Sequence, residues 1–364
     1  MAAESDITLY AYQPSHAAPA VFATVIGLSL LAHVFQNFRY RSWRVMFWMF
    51  WGGTVFTAGW IMRTISSYYP SNPSFYIAQT CLVLGGPPIY AAAEYNILGR
   101  LMYYLPMHSP LHPGRLLYFF IYLGAAVEAI TAVGASYMAT AKGVNAEALY
   151  TRGGTLLSIA LVMQAAVECA FISMVALMHQ RAARSRMLSP NVRSLCIMLF
   201  GTSTLVLVRC ITRAIESFAT MTITEPAQCT DVCRFVTTQE WFIYVFEAVP
   251  MAFYTIWLNV MHPGRYLPCS KTRYLDLDGK TERLGPGWVD DRSKWETFAD
   301  PFDLTNTLKG QAKHDKFWLQ GDRWPVTSDG SFANGTATNT SKSHLKEHHQ
   351  RELASLKEAA GSNA

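Results

Sequence analysis

The chain has no glycine-rich phosphate loop ending in Lys and Ser or Thr, no Gly-x-Ser-x-Gly elbow, and no apolar segment holding two histidines four apart beside a glutamate. ATP hydrolysis on a P-loop, serine-esterase chemistry and intramembrane metalloproteolysis therefore lack their machinery here. The last apolar segment contains no lysine, which excludes a retinal Schiff base. Charge is scarce: Asp, Glu, Lys and Arg make up 15% of the residues, against roughly 25% in soluble domains. Seven scattered cysteines are too few for a disulfide scaffold. Met1 to Pro19 is polar and lacks the basic stretch and small-residue cleavage site of a signal peptide, so none is expected.

Apolar residues are abundant instead: 51% hydrophobic, 13% aromatic and a mean hydropathy of +0.13. This balance predicts an all-α polytopic membrane protein. At roughly 20 mostly apolar residues per crossing, seven spans are expected, from Ala18 to Phe38, Trp43 to Ile65, Phe75 to Leu98, Leu116 to Met138, Gly154 to Met178, Leu195 to Phe218 and Trp241 to Met261. The chain then divides into a short N-terminus at 1–17, a seven-helix domain at 18–262 and a polar tail at 263–364 that is expected to be mostly disordered. Four tryptophans in the tail, Trp288, Trp295, Trp318 and Trp324, either dock on the bundle or a partner or stand as isolated aromatics.

The net charge of +5 comes from basic residues in alternate links: Arg39, Arg41 and Arg44, then Arg100 and Arg115, then Arg181, Arg184, Arg186 and Arg193. That alternation follows the positive-inside rule and predicts an outside N-terminus and a cytoplasmic C-terminus. It also removes the need for a nucleic-acid partner. The sequons at Asn334 and Asn339 are then expected to stay unglycosylated.

Ionisable side chains inside membrane spans are costly and normally face a protein interior or a wet cavity, where they pair. On the sixth span Arg209, Arg213 and Glu216 share one helical face, and on the seventh Glu240, Tyr244 and Glu247 repeat the spacing. Both sets fall at a similar depth. The functional reading is a site for a cationic or zwitterionic headgroup, carboxylates receiving an ammonium and arginines a phosphate or hydroxyl; the structural reading is a polar lock between two helices. Arg63 lies near the same level on the second span. Glu128 and Glu168 sit mid-span and are candidates for proton coupling, while Glu94 and Arg100 lie towards the cytoplasmic end of the third.

Several separated strings, in order, resemble the fungal RTA-like lipid-translocating exporters: Gly85-Gly86-Pro87-Pro88 and Ala93 to Arg100 on the third span, Arg209 to Glu216 on the sixth, and Glu240, Tyr244, Met251 and His262-Pro263-Gly264 on the seventh. Gly59, Arg63 and Gln164 fit as well. The chain departs from many members at Phe56, Gly124 and Thr131, and keeps a carboxylate at Glu247 where they carry aspartate. The resemblance implies a seven-helix fungal protein linked to export or flipping of lipids, sphingoid long-chain bases in particular, and to resistance against toxic amphiphiles. Its substrate pathway would run through Arg63, Glu94, Arg100, Glu128, Gln164, Glu168, Arg209, Arg213, Glu216, Glu240, Tyr244 and Glu247. The plasma membrane is the expected location, an endomembrane the alternative.

A second class of function keeps the same topology: a seven-helix receptor or stress sensor that signals through proteins bound to its tail. Pro87 and Pro88 predict a kink or break in the third span. Cys229 and Cys233 are a disulfide candidate in an outer link, and Cys269 a lipidation candidate. His344, His348 and His349 have metal-like spacing without a further fixed ligand, so no metal site, no cofactor and no enzymatic activity are expected.

Overall fold

The structure is a computed structural model that describes residues 10, 12–141, 145–220, 238–268, 270–288, 292–300, 303, 305 and 316–327. Cys229, Cys233, Cys269, the two sequons and the histidines at 344–349 lie outside the described residues.

Seven long helical elements occupy the seven expected positions: α1 (Ala17–Tyr40), α2 (Trp43–Tyr68), α3 (Pro73–Tyr104), α4 (Pro113–Thr140), α5 (Ala146–Arg184), α6 (Pro190–Thr220) and α7, built from Trp241–Ile243, Tyr244–Ala248 and Val249–Val260. Six of them are long and apolar enough to cross a membrane, and the protein is an all-α, multi-pass integral membrane protein. The one that does not meet the hydropathy measure is α3, although it runs for 32 residues. It packs against α2, α4, α5 and α6. A helix wrapped by protein does not need a lipid-facing apolar surface, so α3 can carry Gln79, Glu94 and Asn96.

Helix starts are set by local chemistry. Asn72 accepts the backbone N–H of Ser74 at 3.0 Å with Pro73 in the first turn. The tetrapeptide His-Pro-Gly-Arg occurs twice, at 112–115 and 262–265, and folds alike each time: the histidine Nδ1 accepts the glycine N–H, at 3.2 Å in the first and 3.1 Å in the second. One copy opens α4; the other opens the 3-10 turn Pro263–Arg265 that ends the bundle.

Where a kink or break was expected, α3 runs unbroken as one helix through Pro87 and Pro88. Close packing holds it there. A Cβ on Gly59 of α2 would sit 2.9 Å from the backbone N of Val83, and one on Gly86 would sit 2.7 Å from the Phe56 ring. Small residues thus bring α2 and α3 into near-backbone contact. The irregular helix is α7 instead. Pro250 has no N–H and its ring crowds the carbonyl four residues back; the helix widens ahead of it into a π turn over Tyr244–Ala248, with Val249 N–H bonded to Tyr244 O. Such turns are rare and recur at functional sites.

The described residues of the tail between 266 and 327 are folded. Strands β1 (Arg273–Leu275) and β2 (Glu282–Leu284) pair antiparallel, Tyr274 opposite Arg283. Tyr274, Phe317 and Trp318 form a small core with Met107 of the α3–α4 turn, Trp288 and Trp324 packed against it. Arg115 of α4 binds Asp303 at 3.1 Å, Tyr104 donates to Glu282 at 2.8 Å, and Trp288 packs edge-on to His112. Three of the four tail tryptophans therefore dock; Trp295, on the short helix α8 (Lys294–Ala299), is 81% exposed.

Candidate functional site

Arg209 and Arg213 lie on the face of α6 that meets the π turn of α7. Widening the helix there brings Glu247 against both arginines: its Oε1 accepts from Arg209 Nε at 2.7 Å, and its Oε2 lies 3.5 Å from Arg213 Nε. Arg213 also closes on Glu216 one turn along its own helix. Glu247 and Arg209 are essentially fully buried, so this is an interior ion-pair cluster.

The sequence groups Glu240 with these arginines; the structure separates it. Glu240 faces Arg63 of α2 at 3.5 Å and accepts from Tyr244 at 2.7 Å and from the backbone N–H of Ser15 at 2.9 Å. Arg63 in turn donates to Tyr12 and Gln79 and lies over the rings of Tyr10 and Tyr244, 5.8 and 5.7 Å from their centroids. Tyr10 is tied to Ser66 and His16 to Ser67, so Tyr10 and residues 12–16 form a strap across the ends of α2, α3 and α7.

Deeper in the bundle, Glu94 accepts from Ser203 of α6 at 2.7 Å, and Glu168 accepts from Tyr95 at 3.3 Å. The two acids are close enough to interact electrostatically. Each keeps one buried oxygen without a hydrogen-bond partner among the described residues, as does Glu128 through Oε2, and the Gln164 Nε2 donor is likewise without one there. Glu128 lies beside Gly85, whose added Cβ would be 3.0 Å from its Oε1, and it interacts electrostatically with Arg209. Arg100 does not join this set: at the tail end of α3 it donates to Pro268 O at 3.2 Å.

A cavity of about 420 Å³ opens between α3, α4, α5 and α6. Its walls are largely apolar, from Ile77, Leu84, Met138, Leu157 and Leu161, while Arg213, Glu216 and Ser217 line one side and Tyr76, Thr80 and Tyr150 supply hydroxyls. Cys81 lines it too and interacts electrostatically with Glu128. Arg213 is thus shared between the buried pair and the cavity.

Several members of these networks escape sequence reading. Tyr12, Gln79 and Ser203 are ordinary polar residues until the fold sets them against Arg63 and Glu94. A further network at the opposite end of the bundle ties α1 to α7 through His33, Asn259 and Ser29. There a signal was present, because His33 and Asn37 are polar residues at helical spacing inside an apolar span.

A family model described as RTA1 like protein matches residues 49–270. The chain is 32% identical to the lipid-translocating exporter-like protein RTA1 of Leptosphaeria maculans over 79% of this chain and 57% of that protein. It is 27% identical to the protein of the same name from Ajellomyces capsulatus, over 72% of this chain and 82% of that one. It is 29% identical to Protein RTM1 of Saccharomyces cerevisiae, over 56% and 62%. The chain therefore spans little more than half the length of the Leptosphaeria relative. No solved structure matches. The matched region runs from within α2 to the turns beyond α7 and takes in every charged residue from Arg63 to Glu247; the chain belongs to the RTA1-like family.

Proposed function

We propose that the protein transports lipids or related amphiphiles across the membrane, with single-chain amphiphiles such as sphingoid bases as substrates, and contributes in this way to resistance against toxic lipophilic compounds. One observation carries this reading: an apolar-walled cavity lies beside a buried ion-pair cluster and shares Arg213 with it. A single acyl chain fits against Leu84, Leu157 and Leu161. Its ammonium is received by Glu216, which is partly exposed, and its hydroxyls by Tyr76, Thr80 or Tyr150. Names support the assignment, since two of the relatives above are called lipid-translocating exporter-like, and a further relative, from Emericella nidulans, is called a probable lipid transporter.

In the proposed mechanism charge is exchanged rather than stripped. When an ammonium takes Glu216, Arg213 turns to Glu247 Oε2, already 3.5 Å away. A headgroup passing Glu128 meets an acid with an unsatisfied oxygen on the way, and Glu94 and Glu168 offer the next ones. All seven helices cross the bilayer in this scheme, the strap end facing outside and the tail end the cytoplasm of a plasma-membrane protein. The test is flux of a fluorescent sphingoid base across liposomes holding the purified protein, beside a phospholipid control. Headgroup-selective flux that Glu216→Gln slows supports the reading; absence of flux from correctly folded protein overturns it.

A further inference from the structure

His33 of α1 and His262 at the end of α7 are completely buried, with ring centroids 5.2 Å apart. Their neighbours fix which nitrogen of each ring holds its hydrogen. Asn259 donates Nδ2 to the backbone carbonyl of Ser29 at 2.8 Å and to its Oγ at 2.7 Å. A carbonyl can only accept, so the Asn259 amide is oriented and its Oδ1 is the acceptor that faces His33 Nδ1 at 3.1 Å. His33 Nδ1 therefore carries the hydrogen, and its Nε2 is a bare lone pair. In His262 the order is reversed. Its Nδ1 accepts the Gly264 N–H at 3.1 Å, so in the neutral ring the hydrogen is on Nε2. Neither Nε2 has a hydrogen-bond partner among the described residues.

Two neutral imidazoles thus face one another with opposite tautomers, one offering a buried acceptor and the other a buried donor. The charged or titratable groups that face them are Tyr40, stacked on His262 at 5.2 Å, and Arg265, which interacts with His262 electrostatically. No carboxylate interacts with either ring among the described residues.

We propose that His33 and His262 form one proton-binding site, which takes a single proton from the aqueous phase at the tail end onto His33 Nε2. The bond formed is N–H on that lone pair, and the pair gains one positive charge. The proton cannot settle on His262 without displacing the Gly264 N–H from Nδ1, which would undo the turn that ends α7. Once His33 is charged, two N–H groups face each other and Arg265 adds a second cation, so the α1–α7 seam is the element that the proton loosens. That seam borders an open groove of about 670 Å³ lined by Ser29, Gln36, Asn259 and Arg265 among apolar residues, through which water reaches the pair when the helices part.

The experiment reads protons, not transport, so its outcome is independent of the function proposed above. The chain labelled with 15N-histidine is placed in lipid nanodiscs, and imidazole nitrogen shifts are followed over about pH 3.5 to 8. His33→Asn and His262→Asn assign the signals, because an asparagine amide keeps the Nδ1-side hydrogen bond of each ring and removes Nε2. The expected result is an Nδ1–H tautomer for His33, an Nε2–H tautomer for His262, uptake of one proton by His33, and a titration of His33 that changes in His262→Asn. The same tautomer in both rings, a His33 that stays neutral throughout, or independent titration of the two rings overturns the proposal. Should one variant misfold, the other still assigns its own ring, and an Nε2–H tautomer at His33 or an Nδ1–H tautomer at His262 is by itself enough to overturn the proposal.

Discussion

Glu247 accepts the Nε–H of Arg209 at 2.7 Å, and the two side chains are 0% and 1% exposed. Breaking a buried pair by removing one partner leaves an uncompensated charge and costs about 3–5 kcal/mol, whereas replacing both partners with apolar residues of similar size is often neutral. Glu247→Gln and Arg209→Met should each lower the melting temperature in detergent, and the double variant Arg209→Met/Glu247→Met should recover most of the loss. Transport should not recover with it, because the carboxylate that Arg213 turns to is gone. A double variant with wild-type flux would reduce the pair to a structural lock between α6 and α7.

That pairing was legible in the sequence only in outline. Charges at helical spacing on two apolar segments required a buried cluster, and Arg209 and Glu247 are in it. The assignment of Glu240 to the same cluster followed spacing along α7, as though that helix were regular. The π turn at Tyr244–Ala248 adds a residue to the turn, so positions on either side of it lose their common face, and Glu240 meets Arg63 instead. Pro87 and Pro88 predicted a kink or break, and the helix is unbroken there; the near-backbone contact with α2 is a tertiary effect that no local pattern carries. The described part of the tail shows a contact of the same kind: Tyr274 meets the Phe317–Trp318 pair some forty residues on, with Met107 of the α3–α4 turn packed against them, a long-range packing that composition does not carry.

Cys81 gives the cavity a chemical handle. Its side chain is exposed and lines the same cavity as Arg213 and Glu216. A small thiol reagent should slow amphiphile flux by obstructing the space that the chain occupies, and Cys81→Ser should abolish the slowing while leaving basal flux near wild type. Cys169, also exposed but away from the cavity lining, supplies the control. Undiminished flux after complete labelling of Cys81 would move the substrate route elsewhere in the bundle.

His108, in the turn between α3 and α4, should make the tail end sensitive to acid. Its Nε2 lies 2.9 Å from Ser185 Oγ and 3.1 Å from Met187 Sδ. Burial, and then the Arg181 charge, hold its pKa below the ordinary histidine value. The folded state therefore prefers the neutral ring. Above about pH 6.5 the unfolded ring is neutral too and the contribution is fully present; as pH falls towards the depressed folded value, the unfolded form binds the proton first and stability is lost. Hydrogen exchange at residues 107–108 and 185–187, corrected for its intrinsic pH dependence, should be faster at about pH 5 than at about 7.5. In His108→Gln that difference should shrink, and an unchanged pH response would assign it to other groups.

The docked tail separates the transporter from the receptor. Arg115 and Asp303 form an ion pair at 3.1 Å with side chains 9% and 8% exposed, and Arg292 lies 3.3 Å from the other oxygen of Asp303. Asp303→Asn should release the segment that carries it, at a cost of about 3–5 kcal/mol in docking by the same argument as for Glu247, and limited proteolysis should then cut the tail. Truncation after Pro268 goes further. It strips Met107 of its aromatic partners and Tyr104 of Glu282, so the bundle should melt at a lower temperature. Among the described residues, none that lines the cavity lies beyond Ser217 of α6. A transporter working through that cavity should keep most of its flux once the truncated protein is folded and reconstituted. A receptor whose output passes through the tail should lose it, whatever its stability. Flux that vanishes in a folded truncation would make the tail part of the transport machinery, with the Arg115–Asp303 contact as the first place to look.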